Sequence, residues 1–330
     1  MKTVLIAIDE FATASDEPIK MLEQSGFKVL VNDTGEPLDY KKNPEMYAST
    51  DYVIAGLEPY AAEFFNEFDN ISVISRIGVG TDCIDLRAAT NSNVKVMITS
   101  DKPSVAVAEL CISNMISLLR STFKMSNHLK SGQWMPIQGT ELRSCTVGVI
   151  GMGSIGKEVL KRVHAFKSNL IAYSRTWDDE FANKHSVKRK TLKEIFKESD
   201  VITIHLPLTS ETNGLIGEDL IQSAKKNTII LNTSRAGVID NVALAKALKG
   251  GKLFGASVDV FDEERDPYPY GDLDNVILTP HIGSHTIETR RSMEVMAVEN
   301  ILMFESLSKQ SQTSEIKSIL SYVNQHSVNS

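Results

Sequence analysis

Cysteine is scarce in this chain: Cys83, Cys111 and Cys145 are the only three among 330 residues. An odd count with no C-x-x-C pair supports neither a disulfide framework nor a zinc site, so a reducing compartment and no metal are expected. Positive charge is also in short supply. Lys and Arg number 35 against 42 Asp and Glu, a formal net charge of −7. That balance argues against nucleic acid or an anionic membrane as the main partner, because both reward basic surfaces. Long apolar runs are missing too. The most apolar stretch, 104–119, contains Glu109 and Asn114, and the amino-terminal run Thr3–Ile8 meets Asp9 and Glu10 before reaching signal-sequence length. No repeat of solenoid length is apparent. A cytoplasmic protein is expected.

What remains is a composition suited to a packed core, with 42% hydrophobic and 23% charged residues. At roughly 150 residues per domain the length suggests two domains. In the first hundred residues, short apolar runs at 3–8, 28–31, 52–55 and 72–75 read as buried parallel strands. The helical stretches 18–24 and 59–67 alternate with them. Residues 104 to about 122 form the longest helix candidate, with Ser104 able to cap it. The stretch 126–143, with Gly132, Pro136 and Gly139, reads as an extended arm. A second α/β series then begins, with strands at 147–150, 170–173, 201–204, 228–231, 256–258 and 276–278. Six strands with intervening helices match a doubly wound dinucleotide domain. A closing helix covers about 287–307. The Ser-, Gln- and Asn-rich tail, with Ile316, Ile319, Leu320 and Val323, suggests a weak amphipathic turn or two.

The run Gly151-Met152-Gly153-Ser154-Ile155-Gly156 stands between an apolar strand and a helical run. The G-x-G-x-x-G spacing is weak alone and much stronger at such a turn. Gly151 permits the tight turn and Gly153 lets the backbone approach a pyrophosphate. Gly156 allows helix-on-strand packing, and the helix N-terminus presents N–H groups, those of Ser154 and Ile155 included, to the anion. The following strand ends at Tyr173. There an acidic residue would grip the adenosine ribose; here stand Ser174, Arg175 and Thr176. A guanidinium with two hydroxyls suits a 2′-phosphate, so the pattern favours NADP, with NAD as the alternative.

Six blocks in order then resemble the D-isomer-specific 2-hydroxyacid dehydrogenase family, nearest its phosphoglycerate dehydrogenase-like branch. They are residues 75–85 (SRIGVGTDCID), the Gly151 loop, 205–209 (HLPLT), 232–237 (NTSRAG), 256–261 (ASVDVF) and 279–283 (TPHIG). The resemblance extends to about residue 305. It implies two doubly wound parallel-sheet α/β domains: a Rossmann-type cofactor domain, 101–285, inserted in a flavodoxin-like substrate domain, 1–100 and 286–330, with the active site between them. The helix and arm near 104–145 resemble the family's dimer interface, so a homodimer is expected.

The implied reaction moves a hydride between NAD(P) and C2 of a 2-hydroxy or 2-keto acid, phosphorylated or not. His281 is the expected acid–base, since an imidazole exchanges protons near neutrality. Glu264 matches the carboxylate that pairs with it, with Glu263 the fallback if the register is off by one. A glutamine at that place marks the formate dehydrogenases, which Glu264 disfavours. Arg235, just past the strand 228–231, suits a carboxylate clamp. Asp259 resembles the residue that orients the nicotinamide carboxamide. His205 and Pro207 resemble the block on the adenine side, and His205 reads equally as a strand-end histidine. Thr212, Thr233 and Gly283 are implied cofactor contacts. Val79 and Gly80 would offer backbone N–H groups to the substrate carboxylate. Arg76 either meets a second anionic group of the substrate or makes a salt bridge. Two rivals share these positions: a phosphite dehydrogenase, and a non-enzymatic NAD(H)-sensing corepressor-like binding protein. Fold and motif do not choose among them.

Overall fold

The computed structural model describes residues 1–263 and 266–309. The chain divides into two compact units. One comprises Met1–Pro103 and the segment from Thr286 onward; the other is Ser104–His285.

The first unit is built on β1 (Thr3–Ile6), β2 (Lys28–Val31), β3 (Tyr52–Ala55), β4 (Val73–Arg76) and β5 (Lys95–Ile98). All pairs are parallel, in the order β2-β1-β3-β4-β5. Side chains alternate across this sheet, as the pleat requires. Val4, Ile6, Ile54 and Val73 face the long helix Ile287–Lys309 through Met293, Ala297, Val298 and Ile301. Leu5, Val53, Ile74 and Val96 face an aromatic cluster that includes Tyr47, Tyr60, Phe64 and Phe68. Burial on both faces explains why these strands read as unbroken apolar runs. The order reverses between β1 and β3, as in flavodoxin-like sheets.

The second unit holds β6 (Thr146–Ile150), β7 (Asn169–Tyr173), β8 (Val187–Arg189), β9 (Val201–Ile204), β10 (Thr228–Asn232), β11 (Leu253–Val258) and β12 (Val276–Leu278). They form one parallel sheet ordered β12-β11-β10-β9-β6-β7-β8. Helices Ser104–Leu119 and Ser154–Ala165 cover one face through Cys111, Met115, Val159 and Val163. Ile195, Phe196, Ile221, Leu244 and Leu248 cover the other. The order reverses between β6 and β9, the topological switch point where doubly wound sheets bind ligands.

Three expectations need correction. Each sheet has one more strand than the apolar runs suggested, β5 and β8. Most of β8 is exposed, and it lies at the sheet edge, so it carries little hydrophobic signal. The arm is also not extended throughout. Ser121, at φ +50°, turns the chain into a further helix, Thr122–Lys130, which ends where Gly132 adopts φ +80°. The irregular stretch therefore begins only after Lys130. The Ile316–Val323 reading lies outside the described residues.

No single helix among the described residues is long and apolar enough to cross a membrane. The pair Ser104–Leu119 and Thr122–Lys130, bent by 63°, passes by length and composition together. Its first member is mostly a core helix, with Val107, Cys111, Met115 and Leu118 buried. No cluster of metal-ligating side chains occurs among the described residues.

Candidate active site

The glycine loop follows β6 at the switch point. Gly151 has φ +99°, and a Cβ there would lie 2.3 Å from the His205 carbonyl oxygen. A side chain at Gly156 would fall 2.0 Å from the Gly151 carbonyl oxygen, so the helix can approach the strand only without one. A Cβ at Gly153 would instead enter open space. Gly153 and Ser154 are exposed, Ile155 is half-buried, and the helix begins at Ser154. Open space at the amino end of a twelve-residue helix suits a pyrophosphate, because the first N–H groups of a helix have no intrahelical acceptor.

Beyond β7, Ser174 is half-buried while Arg175 and Thr176 are exposed. Arg175 pairs with Glu211 at 2.7 Å. Asp178 turns away from any ribose role: it caps the helix Asp179–Lys184 and binds Lys157 at 2.6 Å. His205 follows β9 directly. Its backbone N–H donates to the Ile150 carbonyl at 2.7 Å, and Nε2 shares a hydrogen with Thr203 Oγ1 at 2.9 Å. Nδ1 is enclosed and has no hydrogen-bond partner, and burial pushes the imidazole pKa down to about 3. Pro207 is exposed, and its carbonyl accepts from the Thr212 hydroxyl at 2.5 Å. Thr212 thus closes the loop after β9 on itself. Thr233 is buried, its hydroxyl 3.3 Å from Cys111 Sγ. Burial raises the Cys111 thiol pKa to about 11, so the thiol stays neutral.

Arg235 stands three residues past β10, half-buried, with Nη1 donating to the Ser234 carbonyl at 2.7 Å. The turn that carries it is stapled by Asn232. Its Oδ1 accepts from the Ser234 N–H at 3.0 Å and hydroxyl at 2.8 Å, and its Nδ2 donates to the Arg235 carbonyl at 3.0 Å. Asn232 was not singled out from the sequence for this role. Its signal was there, since an Asn bonding two residues ahead is the ordinary Asx turn.

The segment 279–283 follows β12. His281 is exposed, at φ +53°, and its N–H donates to the Thr279 carbonyl at 2.9 Å, closing a three-residue turn centred on Pro280. Asp259, 1% exposed, governs this turn. Its Oδ1 accepts from Thr279 Oγ1 at 2.6 Å and the Ile282 N–H at 2.9 Å, and its Oδ2 accepts from the Gly283 N–H at 2.9 Å. Gly283 is buried there, against Asp259 and Val107. Asp259 therefore shapes the histidine segment, a role its spacing in the sequence did not reveal. Glu264 lies outside the described residues. Glu263 is exposed, and the approach to it is anchored by Asp262, which accepts from Asn241 Nδ2 at 3.0 Å.

In the first unit, Arg76 ends β4 and is 6% exposed. Its guanidinium lies against Gly78, where a Cβ would be 1.5 Å from Nη1. Val79 is exposed and Gly80 half-buried, so the tip of this loop is open to a ligand while its base is not.

Gly151, His205, Arg235, Asp259 and His281 thus all lie at or just past the carboxyl ends of strands of one sheet, β6, β9, β10, β11 and β12. Comparison with known proteins identifies the family. Residues 112–283 match the model of the D-isomer specific 2-hydroxyacid dehydrogenase, NAD binding domain. A D-3-phosphoglycerate dehydrogenase of Methanocaldococcus jannaschii is 37% identical over 87% of this chain and 55% of its own length. The chain thus spans about half of that relative. A glyoxylate reductase of Pyrococcus furiosus is 33% identical over 87% of this chain and 88% of its own. NAD+-bound 3-phosphoglycerate dehydrogenase of Entamoeba histolytica superposes with a TM-score of 0.80 at 26% identity, covering 92% of this chain and 95% of the other. With its sheet order, glycine loop and family match in agreement, the chain belongs to the D-isomer-specific 2-hydroxyacid dehydrogenase family.

Proposed function

We propose that the protein interconverts a 2-keto acid and a D-2-hydroxy acid with a nicotinamide cofactor. The observation that carries this is the placement of Arg235 and His281 at the carboxyl ends of β10 and β12, either side of β11 in the sheet that bears the glycine loop, each on a turn fixed by a buried polar side chain. When bound, the nicotinamide supplies or accepts the hydride.

The chain's own residues do the rest. His281 gives a proton to the carbonyl oxygen during reduction and takes it from the hydroxyl during oxidation. Glu264 is the partner carboxylate in this reading, which would select the ring nitrogen that faces substrate. Arg235 holds the substrate carboxylate through its planar fork. Val79 and Gly80, at the open tip of the first unit's glycine loop, have backbone N–H groups suited to an anionic substrate. The first helical N–H groups at Ser154 and Ile155 take the pyrophosphate, while His205, Pro207, Thr212, Thr233, Asp259 and Gly283 line the cofactor side. NADP is the preferred cofactor, supported by Arg175 between two hydroxyl side chains. The exposed Leu129, Trp134 and Met135 support a homodimer through the 122–141 segment. Free thiols at all three cysteines accord with a cytoplasmic setting.

Oxidation of NADPH and NADH by purified protein, against 3-phosphohydroxypyruvate, hydroxypyruvate, glyoxylate and phenylpyruvate, tests the reading. Turnover that His281→Ala abolishes is the expected result. Silence across the panel with cofactor binding intact would sink it, and phosphite-dependent cofactor reduction would replace it with the inorganic substrate.

A further inference from the structure

One buried amide holds both ends of the segment 262–270, which follows β11 and includes Glu263 and Glu264. Asn241, 7% exposed, opens the helix Asn241–Lys249 shortly after the Arg235 turn. Its Nδ2 donates to Asp262 Oδ2 at 3.0 Å, at the start of the segment, and to the Ala236 carbonyl at 3.4 Å. Its Oδ1 accepts from the Tyr270 hydroxyl at 2.7 Å, at the segment's end. These partners leave the amide one orientation. A carboxylate and a carbonyl only accept, so both must face Nδ2. Burial raises the Tyr270 phenol well above its ordinary pKa, so it stays protonated and donates to Oδ1. The Tyr270 ring also lies in the core with Leu244 and Leu248, which anchors the far end by packing. Asp262 is exposed, and its bond to Asn241 ties the near end to the interior. Between the two, the Asp266 N–H donates to the Glu263 carbonyl at 3.1 Å and the Tyr268 N–H to an Asp266 carboxylate oxygen at 2.9 Å.

We propose that Asn241 is a positioning residue for the carboxylate that serves His281: by holding Asp262 it sets the course of the chain toward Glu264 and joins that segment to the Arg235 turn. The proposal rests on the reading of Glu264 as the partner of the histidine. Asn241 and Asp262 touch neither substrate nor cofactor in it and act through Glu264.

The test measures kcat, KM for the best 2-keto acid, Kd for reduced cofactor and Tm in Asp262→Ala, Asn241→Leu and Tyr270→Phe. Asp262→Ala is also made in a Glu264→Gln background. Because Asp262 is exposed, Asp262→Ala should keep nearly the wild-type Tm. Its kcat should fall roughly tenfold, with KM and cofactor Kd within about twofold of wild type. Asn241→Leu should share that kcat loss at a lower Tm, since it also strands the Tyr270 hydroxyl. Should it fail to fold, Asp262→Ala decides alone. Tyr270→Phe should lower Tm yet keep wild-type kcat, because Asp262 still faces Nδ2. Turnover then follows the Asp262 bond and not stability, which a merely structural role would not produce. In Glu264→Gln, itself slowed, Asp262→Ala should cost nothing more. An equal further loss in that background, or wild-type kcat in Asp262→Ala, overturns the proposal. Amide exchange reads the link without turnover. The Asp266 and Tyr268 N–H groups should exchange roughly tenfold faster in Asp262→Ala, with β10 unchanged. Unchanged rates overturn the role of Asn241 alone. Wild-type kcat in Glu264→Gln, or a wild type that reduces no 2-keto acid, instead fells the reading of Glu264 and the proposal with it.

Discussion

The carboxylate of Asp259 accepts the backbone N–H of Gly283 at 2.9 Å, across the turn that carries His281. Its other oxygen takes the Ile282 N–H and the Thr279 hydroxyl. A charged, buried acceptor serving three donors is worth more than neutral bonds of the same count, because each is charge-assisted in a site shielded from water.

Asp259→Asn is therefore not conservative. An amide keeps one acceptor and turns a donor toward Ile282 or Gly283, both of which donate already. The expected cost is about 2–4 kcal/mol of stability, together with a displaced His281. A shift of about 1 Å at a reacting group can cost roughly a hundredfold in kcat. Urea unfolding and steady-state kinetics on one preparation measure both. Unchanged kcat would show that the histidine turn holds its shape without the carboxylate.

Much of this was legible in advance. The glycine loop, Arg235 and His281 stood out because their residue types and neighbours recur together. Both sheets announced themselves through apolar runs buried on two faces. What the sequence concealed was contact made at a distance. Asp259 was expected at the nicotinamide carboxamide, and only the fold shows the turn 20 residues later closing over its carboxylate. The strand β8 was hidden for the opposite reason: Lys188 and Arg189 are exposed at an edge and leave no hydrophobic pattern. The helix Thr122–Lys130 buries no residue of its own, so it too carries little signal.

In the proposed reading, cofactor choice turns on Arg175. Its partner Glu211 is itself well exposed, and exposed pairs are worth at most about 1 kcal/mol, so the guanidinium is readily drawn to a phosphate. Arg175→Ala should raise the KM for NADPH by roughly tenfold or more while leaving NADH nearly unaffected. Glu211→Gln should lower the NADPH KM by freeing the guanidinium. Equal KM values for NADPH in all three proteins would refute the 2′-phosphate assignment.

The second and third glycines of the loop should separate fold from binding. Gly156→Ala places a methyl 2.0 Å from the Gly151 carbonyl oxygen, a backbone atom that cannot swing aside, so this variant should lose both thermal stability and cofactor affinity. Gly153→Ala meets open space. It should keep the wild-type Tm within a few degrees and still bind cofactor more weakly, because the methyl occupies room meant for the pyrophosphate. Titration of NADH by fluorescence beside a melting curve tests the pair. Full affinity in Gly153→Ala would place the pyrophosphate elsewhere.

Acid sensitivity should trace in part to His205. Burial holds its pKa at about 3 in the folded protein, while an unfolded histidine titrates near its ordinary value of 6.5. Between those values the unfolded chain binds a proton that the folded chain refuses. The sign follows: the contribution is fully present above about pH 6.5 and is lost as pH falls toward 3, with a slope approaching about 1.4 kcal/mol per pH unit for one proton. Thr203 would lose its partner in an apolar variant, so His205→Gln is the better probe, since an amide can still meet the hydroxyl and does not titrate. Unfolding free energies from urea titrations at intervals between pH 7 and pH 4 should fall more steeply for wild type than for His205→Gln. Parallel curves would mean that the imidazole takes up its proton in the folded state, and that the enclosure around Nδ1 opens to water.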